Sequence, residues 1–349
     1  MRLEKNCLLS LSGAVLVAFL SIGFEAHPSF AQEAEAKRGL HYLTQRNRTG
    51  SDSPRKFYGD ERSDLKAGWC EIGNVDLSLI SPMADAAPFY IPDELLRVEA
   101  VREFPIEDVF GALLAREKNG APLLHTHGFY IDFEKGCRRA TLLRENIDLD
   151  GSFLWFSWPS DGSLLNYTHD EADLYWSVPD LATAIARLDT EFEDVLVNIS
   201  GHSLGARGVI LALYELANRD PDLRVGDVVL LAPDMDFQIF ERILPRIRPL
   251  MRSMTVYVTA SDRPLAVSSQ LHGYPRLGEA GNDVSSLDGV EVIDLSDIPA
   301  RSATGHLYHI YNKEVGEDLS QLLNEGLPAK KRRNLVPVDR NLWKLQIPE

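Results

Sequence analysis

Gly201-His202-Ser203-Leu204-Gly205 is a G-x-S-x-G pentapeptide set between an apolar, β-branched run, Val195 to Ser200, and a helix-forming run, Val209 to Leu216. Strand, tight turn and helix in that order are what a nucleophile elbow requires, because the turn holds the serine in a strained conformation that projects its hydroxyl at the C-terminal edge of a sheet. The glycines suit the crowding there, since a Cβ at either would meet the packed strand or helix. Ser203 is the candidate nucleophile. The bland alternative is a serine that merely caps a helix.

A serine hydroxyl needs a base to take its proton, and the base needs an acid to hold its tautomer and stabilise its cation. In parallel α/β enzymes these follow the serine in the order acid, then histidine, each on a loop at the C-terminal end of a strand. For the acid, the apolar run Met254 to Ala260 leads into Ser261-Asp262-Arg263-Pro264, which favours Asp262. Asp234 and Asp236 follow an earlier run, VVLLAPDMD, and stay open as alternatives, although Asp236 also suits the cap of a helix beginning at Phe237. For the base, only His272, His306 and His309 lie beyond Ser203. His272 comes too soon after Asp262. His306, in the small-residue loop Ser302-Ala303-Thr304-Gly305-His306, is favoured, with His309 as the alternative.

The oxyanion of acyl transfer is best held by rigid backbone N–H groups. Leu204, directly after the nucleophile and at the positive end of a helix, supplies one. Phe129, in His125-Thr126-His127-Gly128-Phe129, is the natural second, because Gly128 lets that backbone turn in close. His127 then reads as a loop-shaping group and His202 as a packing residue. No metal or organic cofactor is called for by this chemistry.

These residues need a sheet to stand on. From residue 106 onward short apolar runs alternate with helical stretches: a helix over 106–117, a strand over 122–125, a helix over 136–147, a strand over 153–158 and a helix over 170–188. After the elbow come strand-like runs at 227–232, 254–260 and 290–295. Such alternation predicts an α/β fold with a doubly wound, mostly parallel sheet covered by helices on both faces. Earlier, 32–67 reads as an extended entry segment with one strand near His41 to Thr44, and 68–80 as a sheet-edge hairpin. The hydrolase body is placed at 68–325, and 326–349 as an extended C-terminal tail whose run Lys330-Lys331-Arg332-Arg333 reads as solvated.

Residues 1–31 have the plan of a secretory signal: Arg2 and Lys5, an apolar run from Cys7 to Phe24, then Ser29-Phe30-Ala31. The expectation is an exported protein, periplasmic or secreted, with an uncleaved N-terminal anchor as the other outcome and the only route to a membrane. A formal charge of −16 argues against nucleic acid as a partner. Cys70 and Cys137 have no metal-ligand spacing, and whether they pair is left open.

The stretches THGF (126–129), FSWPSDGSLLNY (156–167), GHSLGARGV (201–209) and SDRPLAVSSQLHG (261–273), with RLG (276–278) and Gly305-His306, together resemble one family. The chain looks like the bacterial esterase/lipase-like α/β-hydrolases catalogued as a domain of unknown function, number nine hundred. The resemblance runs from about Tyr42 to Leu319 and implies the α/β-hydrolase fold, Ser203 as nucleophile, and an acid and base matching Asp262 and His306. It implies no substrate. Family members often carry an aromatic soon after the final Gly-His, where this chain has Leu307-Tyr308-His309, which keeps His309 open. Trp158 to Gly162 is the most distinctive part; it either lines an acyl pocket or turns the chain after a strand.

The expected function is an exported serine hydrolase that cleaves an ester or related acyl bond of a small or lipid-like substrate through an acyl-enzyme. The same scaffold could serve an amidase, peptidase or thioesterase, or a non-catalytic envelope binding protein.

Overall fold

Leu123, Leu124, Leu154, Trp155, Ile199, Val228, Leu230, Val256 and Val292 are all almost fully buried, and each lies on a strand whose two faces are covered by helices. The computed structural model describes residues 37–75, 92–116, 120–163, 165–302 and 304–347. The expected signal over 1–31 and the end of the expected hairpin lie outside them. Among the described residues, no helix is long and apolar enough to cross a membrane.

The strands are β1 (Gly39–Arg48), β2 (Tyr58–Asn74), β3 (Leu96–Phe104), β4 (Leu123–Thr126), β5 (Phe153–Ser157), β6 (Asn198–His202), β7 (Val225–Leu231), β8 (Met251–Val258), β9 (Val290–Asp294), β10 (Leu335–Pro337) and β11 (Leu342–Leu345). They form one sheet in the order β10-β11-β9-β8-β7-β6-β4-β5-β1-β2-β3. From β11 to β1 neighbouring strands run parallel, and β2, β3 and β10 are antiparallel to their neighbours. The helices are α1 (Ile106–Leu114), α2 (Phe133–Ile147), α3 (Tyr167–Glu191), α4 (Leu204–Arg219), α5 (Phe237–Ile247), α6 (Arg263–His272), α7 (Tyr308–Tyr311) and α8 (Lys313–Leu323). One core packs α1, α3, α4 and α5 on the sheet, and a second packs α2, α7 and α8 against it. This is the doubly wound α/β-hydrolase architecture. Chain order reverses about β4, with β5 on one side of it and β6 on the other, and ligand crevices open at such a reversal.

Two boundaries differ from the sequence reading. The segment 32–67 is not a separate entry piece: β1 lies inside the sheet between β5 and β2, and residue 67 falls within β2. Its polar look misleads because His41, Thr44, Gln45 and Arg46 are buried. Thr44 Oγ1–H donates to Ser157 O at 2.9 Å, and Arg46 donates to backbone carbonyls, so burial leaves the Thr44 hydroxyl and the Arg46 guanidinium bonded. Nor is 326–349 only a draped tail, since β11 pairs in parallel with β9. In the basic run, Lys330, Lys331 and Arg333 are exposed, but Arg332 is buried and meets Asp318 at 2.7 Å, the Tyr257 hydroxyl at 3.0 Å and Glu291 at 3.2 Å.

Cys70 on β2 and Cys137 on α2 are fully buried and joined as a disulfide with their Cα atoms 6.6 Å apart. The bond closes a loop of 67 residues. Replacing both with serine is expected to cost about 2–4 kcal/mol of stability, read as a lower thermal midpoint that no longer responds to reductant.

Candidate active site

Ser203 sits between β6 and α4 with φ 55° and ψ −120°, a left-handed conformation rare for a residue with a side chain. Its backbone is held on both sides: Ser203 N–H donates to Leu231 O at 2.9 Å, and Ser203 O accepts from Asp234 N–H at 3.2 Å. The turn tolerates no bulk, because a Cβ on Gly205 would lie 2.3 Å from His127 O. Helix α4 therefore runs directly against the loop after β4. That loop presses on Ser203 in turn, since a Cβ on Gly128 would lie 2.8 Å from Ser203 Cβ.

Strand β6 begins at Asn198, so the apolar residues 195–197 lead into the strand instead of forming it. Its last pair in register with β4 is Gly201 opposite Thr126, which brings Leu204 and Phe129 to the same edge. Leu204 is the first residue of α4, where an N–H has no intrahelical acceptor. Among the described residues, neither the Leu204 nor the Phe129 N–H is hydrogen-bonded within the protein.

Asp262 follows β8 and His306 follows β9, both at that edge. His306 Nδ1–H donates to Asp262 Oδ2 at 2.6 Å, while Asp262 Oδ1 accepts the Leu265 N–H at 3.0 Å and so caps α6. One carboxylate thus holds both the imidazole and the helix. The two loops touch through backbone: Arg263 N–H donates to Thr304 O at 3.1 Å, and Gly305, at φ +71°, has Ser261 O where a Cβ would be, 2.4 Å away. Among the described residues Ser203 Oγ makes no hydrogen bond to His306. The link between them runs through His202, whose Nε2–H donates to His306 O at 3.1 Å and whose ring lies 4.4 Å from that of His306. Read from sequence, His202 is only a packing residue; its place directly before Ser203 was the signal for a larger part.

The two alternative acids are bonded elsewhere. Asp236 caps α5, its Oδ1 accepting from Ile239 N–H at 2.9 Å. Asp234 is buried among Arg276, at 2.8 Å, Arg207, Ser268 and the Tyr167 hydroxyl; burial pushes its carboxyl up, but the two guanidinium groups hold it below the usual range. His309 packs on His202 with ring centroids 4.3 Å apart, and among the described residues its Nδ1 has no hydrogen-bond partner. Asp161, His169 and Asp170 form the one group of described residues whose ligand atoms approach as a metal site would require. The Asp170 oxygens there already accept from Ser160, Tyr130 and Asp161, and those of Asp161 from Ser163 and Asn166.

Beneath the site His125, His127, His202 and His309 are buried together, and with Arg139 and Trp155 they line a cavity of about 20 Å³, room for one water. Burial lowers all four imidazoles, His125 to about 3 and the others well below their ordinary value, helped at His127 by Arg46, at His309 by Arg139 and at His202 by the imidazoles crowded around it. Unfolding restores an ordinary imidazole of about 6.5, so below that pH the unfolded chain binds more protons and stability falls as pH falls. Each such group contributes about 1.4 kcal/mol per pH unit once titrating. Carboxyls raised by burial, Asp170 to about 6, act in the opposite sense but only below their own raised values. A steep drop in thermal midpoint between about pH 6.5 and 5 is expected; a flat profile across that window would contradict it.

A family described as "Alpha/beta hydrolase of unknown function (DUF900)" matches residues 102–325. The uncharacterized protein alr1448 of Nostoc sp. is 28% identical over 138 residues, which is 32% of this chain and 36% of that protein, so the match spans about a third of the relative's length. Solved structures with a similar fold include Est1E from Butyrivibrio proteoclasticus, 10% identical with a TM-score of 0.39, covering 58% of this chain and 87% of that one. A lipase-esterase related protein from Clostridium acetobutylicum is 12% identical, TM-score 0.36, over 59% and 95% of the two chains. Carboxylesterase CesB from Bacillus subtilis is 11% identical, TM-score 0.33, over 60% and 86%.

Proposed function

The chain belongs to the α/β-hydrolase family of unknown function that it matches over residues 102–325, and from that premise we propose that it is a serine hydrolase of ester or related acyl bonds. Ser203 Oγ attacks the substrate carbonyl carbon as His306 Nε2 takes its proton. Asp262 keeps the Nδ1–H tautomer and stabilises the imidazolium. The N–H groups of Leu204 and Phe129 bind the tetrahedral oxyanion. Collapse of that intermediate breaks the bond to the leaving alcohol, which departs with the proton from His306 and leaves an acyl-Ser203. Water, deprotonated by His306, then attacks the acyl carbon and returns the free serine and a carboxylic acid.

The observation that supports this reading most is the 2.6 Å bond from His306 to Asp262, on loops that meet His202, the residue directly before a strained serine. We also propose export: the N-terminal charge and apolar pattern is that of a secretory signal, and a buried disulfide suits an oxidising compartment. The test is pre-steady-state hydrolysis of p-nitrophenyl acetate. A burst of nitrophenol stoichiometric with enzyme, followed by slower turnover, is expected of an acyl-enzyme. Absence of hydrolysis across short-chain nitrophenyl esters would set the reading aside.

A further inference from the structure

The Trp158 to Gly162 stretch, distinctive in sequence and without a role so far, stands directly behind the loop that carries Phe129. Trp158 Nε1–H donates to His127 O at 2.8 Å, and its ring stacks on the His127 imidazole with centroids 4.9 Å apart and planes 12° apart. Ser160 Oγ accepts the Ile131 N–H at 3.0 Å and donates to Asp170, whose carboxylate also accepts the Tyr130 N–H at 3.3 Å. Arg46 closes the cluster from β1: its guanidinium donates to Ile131 O at 2.7 Å, to Ser160 O at 2.8 Å and to Ser157 Oγ at 3.0 Å. Trp158, Ser160 and Arg46 are almost wholly buried.

Each end of the loop is therefore fastened: His127 by its carbonyl, Tyr130 by its N–H, Ile131 by both. Phe129, between them, keeps its N–H without an acceptor among the described residues. Tyr130 has φ 66°, a conformation a tyrosine holds only where its surroundings impose it. A planar guanidinium suits the task because its fork satisfies several carbonyls in one fixed geometry, which an ammonium does not. Burial draws the Arg46 group down to about 10 while nearby Asp132 and Asp170 pull it back up, so it remains a cation at neutral pH.

We infer that Trp158, Ser160 and Arg46 are positioning residues for the oxyanion-binding N–H of Phe129, clamping the backbone on both sides of it so that it faces the Ser203 elbow. This rests on the acyl-transfer reading above. An oxyanion donor works because it is already in place when charge develops, and displacement by about 1 Å can cost 10²-fold in rate. The loss falls on the transition state and not on ground-state binding, which separates this role from core filling.

The experiment uses the full chain carrying Trp158→Phe, which keeps a ring but loses the N–H, or Ser160→Ala, a smaller change that keeps the inference testable if the first variant does not fold. Amide hydrogen exchange of residues 127–131 is read beside kcat and KM on p-nitrophenyl acetate. Exchange in that loop is expected to quicken by about fivefold, as for loss of one hydrogen bond. The turnover number should fall about 10–100-fold with KM within about threefold of the parent. Unchanged loop exchange, or a lower melting temperature with kcat intact, overturns the inference and leaves these residues as core packing. Faster loop exchange in variants of a parent that hydrolyses no ester would uphold the clamp and sink the acyl-transfer reading instead.

Discussion

Ser203→Ala is expected to lower kcat by roughly a millionfold, the scale seen when a hydrolase of this mechanism loses its nucleophile, with KM little changed. The loss is that large because base, acid and oxyanion donors act on one attacking oxygen, and without it they have nothing to activate. What remains should be the slow attack of water held near Leu204 and Phe129, at most 10³–10⁴-fold above solution. The fold should survive, because Ser203 is fixed through its backbone, by Leu231 O and by the Asp234 N–H, and alanine keeps both contacts. Circular dichroism and a melting curve near those of the parent, beside the kinetic loss, separate chemistry from unfolding. A variant that keeps more than about a hundredth of the parental kcat would remove Ser203 from the mechanism.

The second large effect belongs to Asp262→Asn, expected to reduce kcat by about 10⁴-fold. Asp262 does two jobs through its two oxygens: one accepts His306 Nδ1–H, the other accepts the Leu265 N–H at the start of α6. An asparagine still caps the helix through its carbonyl oxygen, but its amide leaves His306 facing a donor or a neutral acceptor, and the imidazole loses its orientation and the charge that stabilises its cation. Stability should therefore change little while rate collapses. Asp262→Ala removes the cap as well and should cost about a further 1 kcal/mol of stability. Equal rates in Asp262→Asn and the parent, measured on the same ester, would assign the acid elsewhere.

Much of this site could be read from the chain because its parts sit at the ends of buried strands. The runs before Gly201, Ser261 and Ser296 are short, mostly apolar and rich in β-branched residues, bounded by turn residues, so their loops, and with them Ser203, Asp262 and His306, could be ordered along one edge without coordinates. The rest was hidden for physical reasons. A strand at His41 to Thr44 was legible but its place inside the sheet was not, because His41, Thr44, Gln45 and Arg46 are buried on it and polar residues suggest a solvent-facing segment until their partners, Ser157 and the carbonyls of Ser160 and Ile131, are known. Strand β11 is brief, and nothing local tells Leu342 to Leu345 that β9 offers a parallel edge. Pairing of Cys70 with Cys137 depends on α2 crossing over β2, a tertiary fact. Trp158 was conspicuous but mute, because its partner is a backbone carbonyl, and carbonyls leave no mark in a sequence.

The most direct measurement is the site of covalent capture by a fluorophosphonate, an electrophile that takes the place of the acyl group and needs the same activated hydroxyl. Tryptic mapping by mass spectrometry of the labelled protein should find one adduct, on the peptide containing Ser203, and none in the Ser203→Ala or His306→Ala variants. An adduct on any other residue, or one that persists when Ser203 is replaced, would mean that the hydroxyl at the elbow is not the group that attacks.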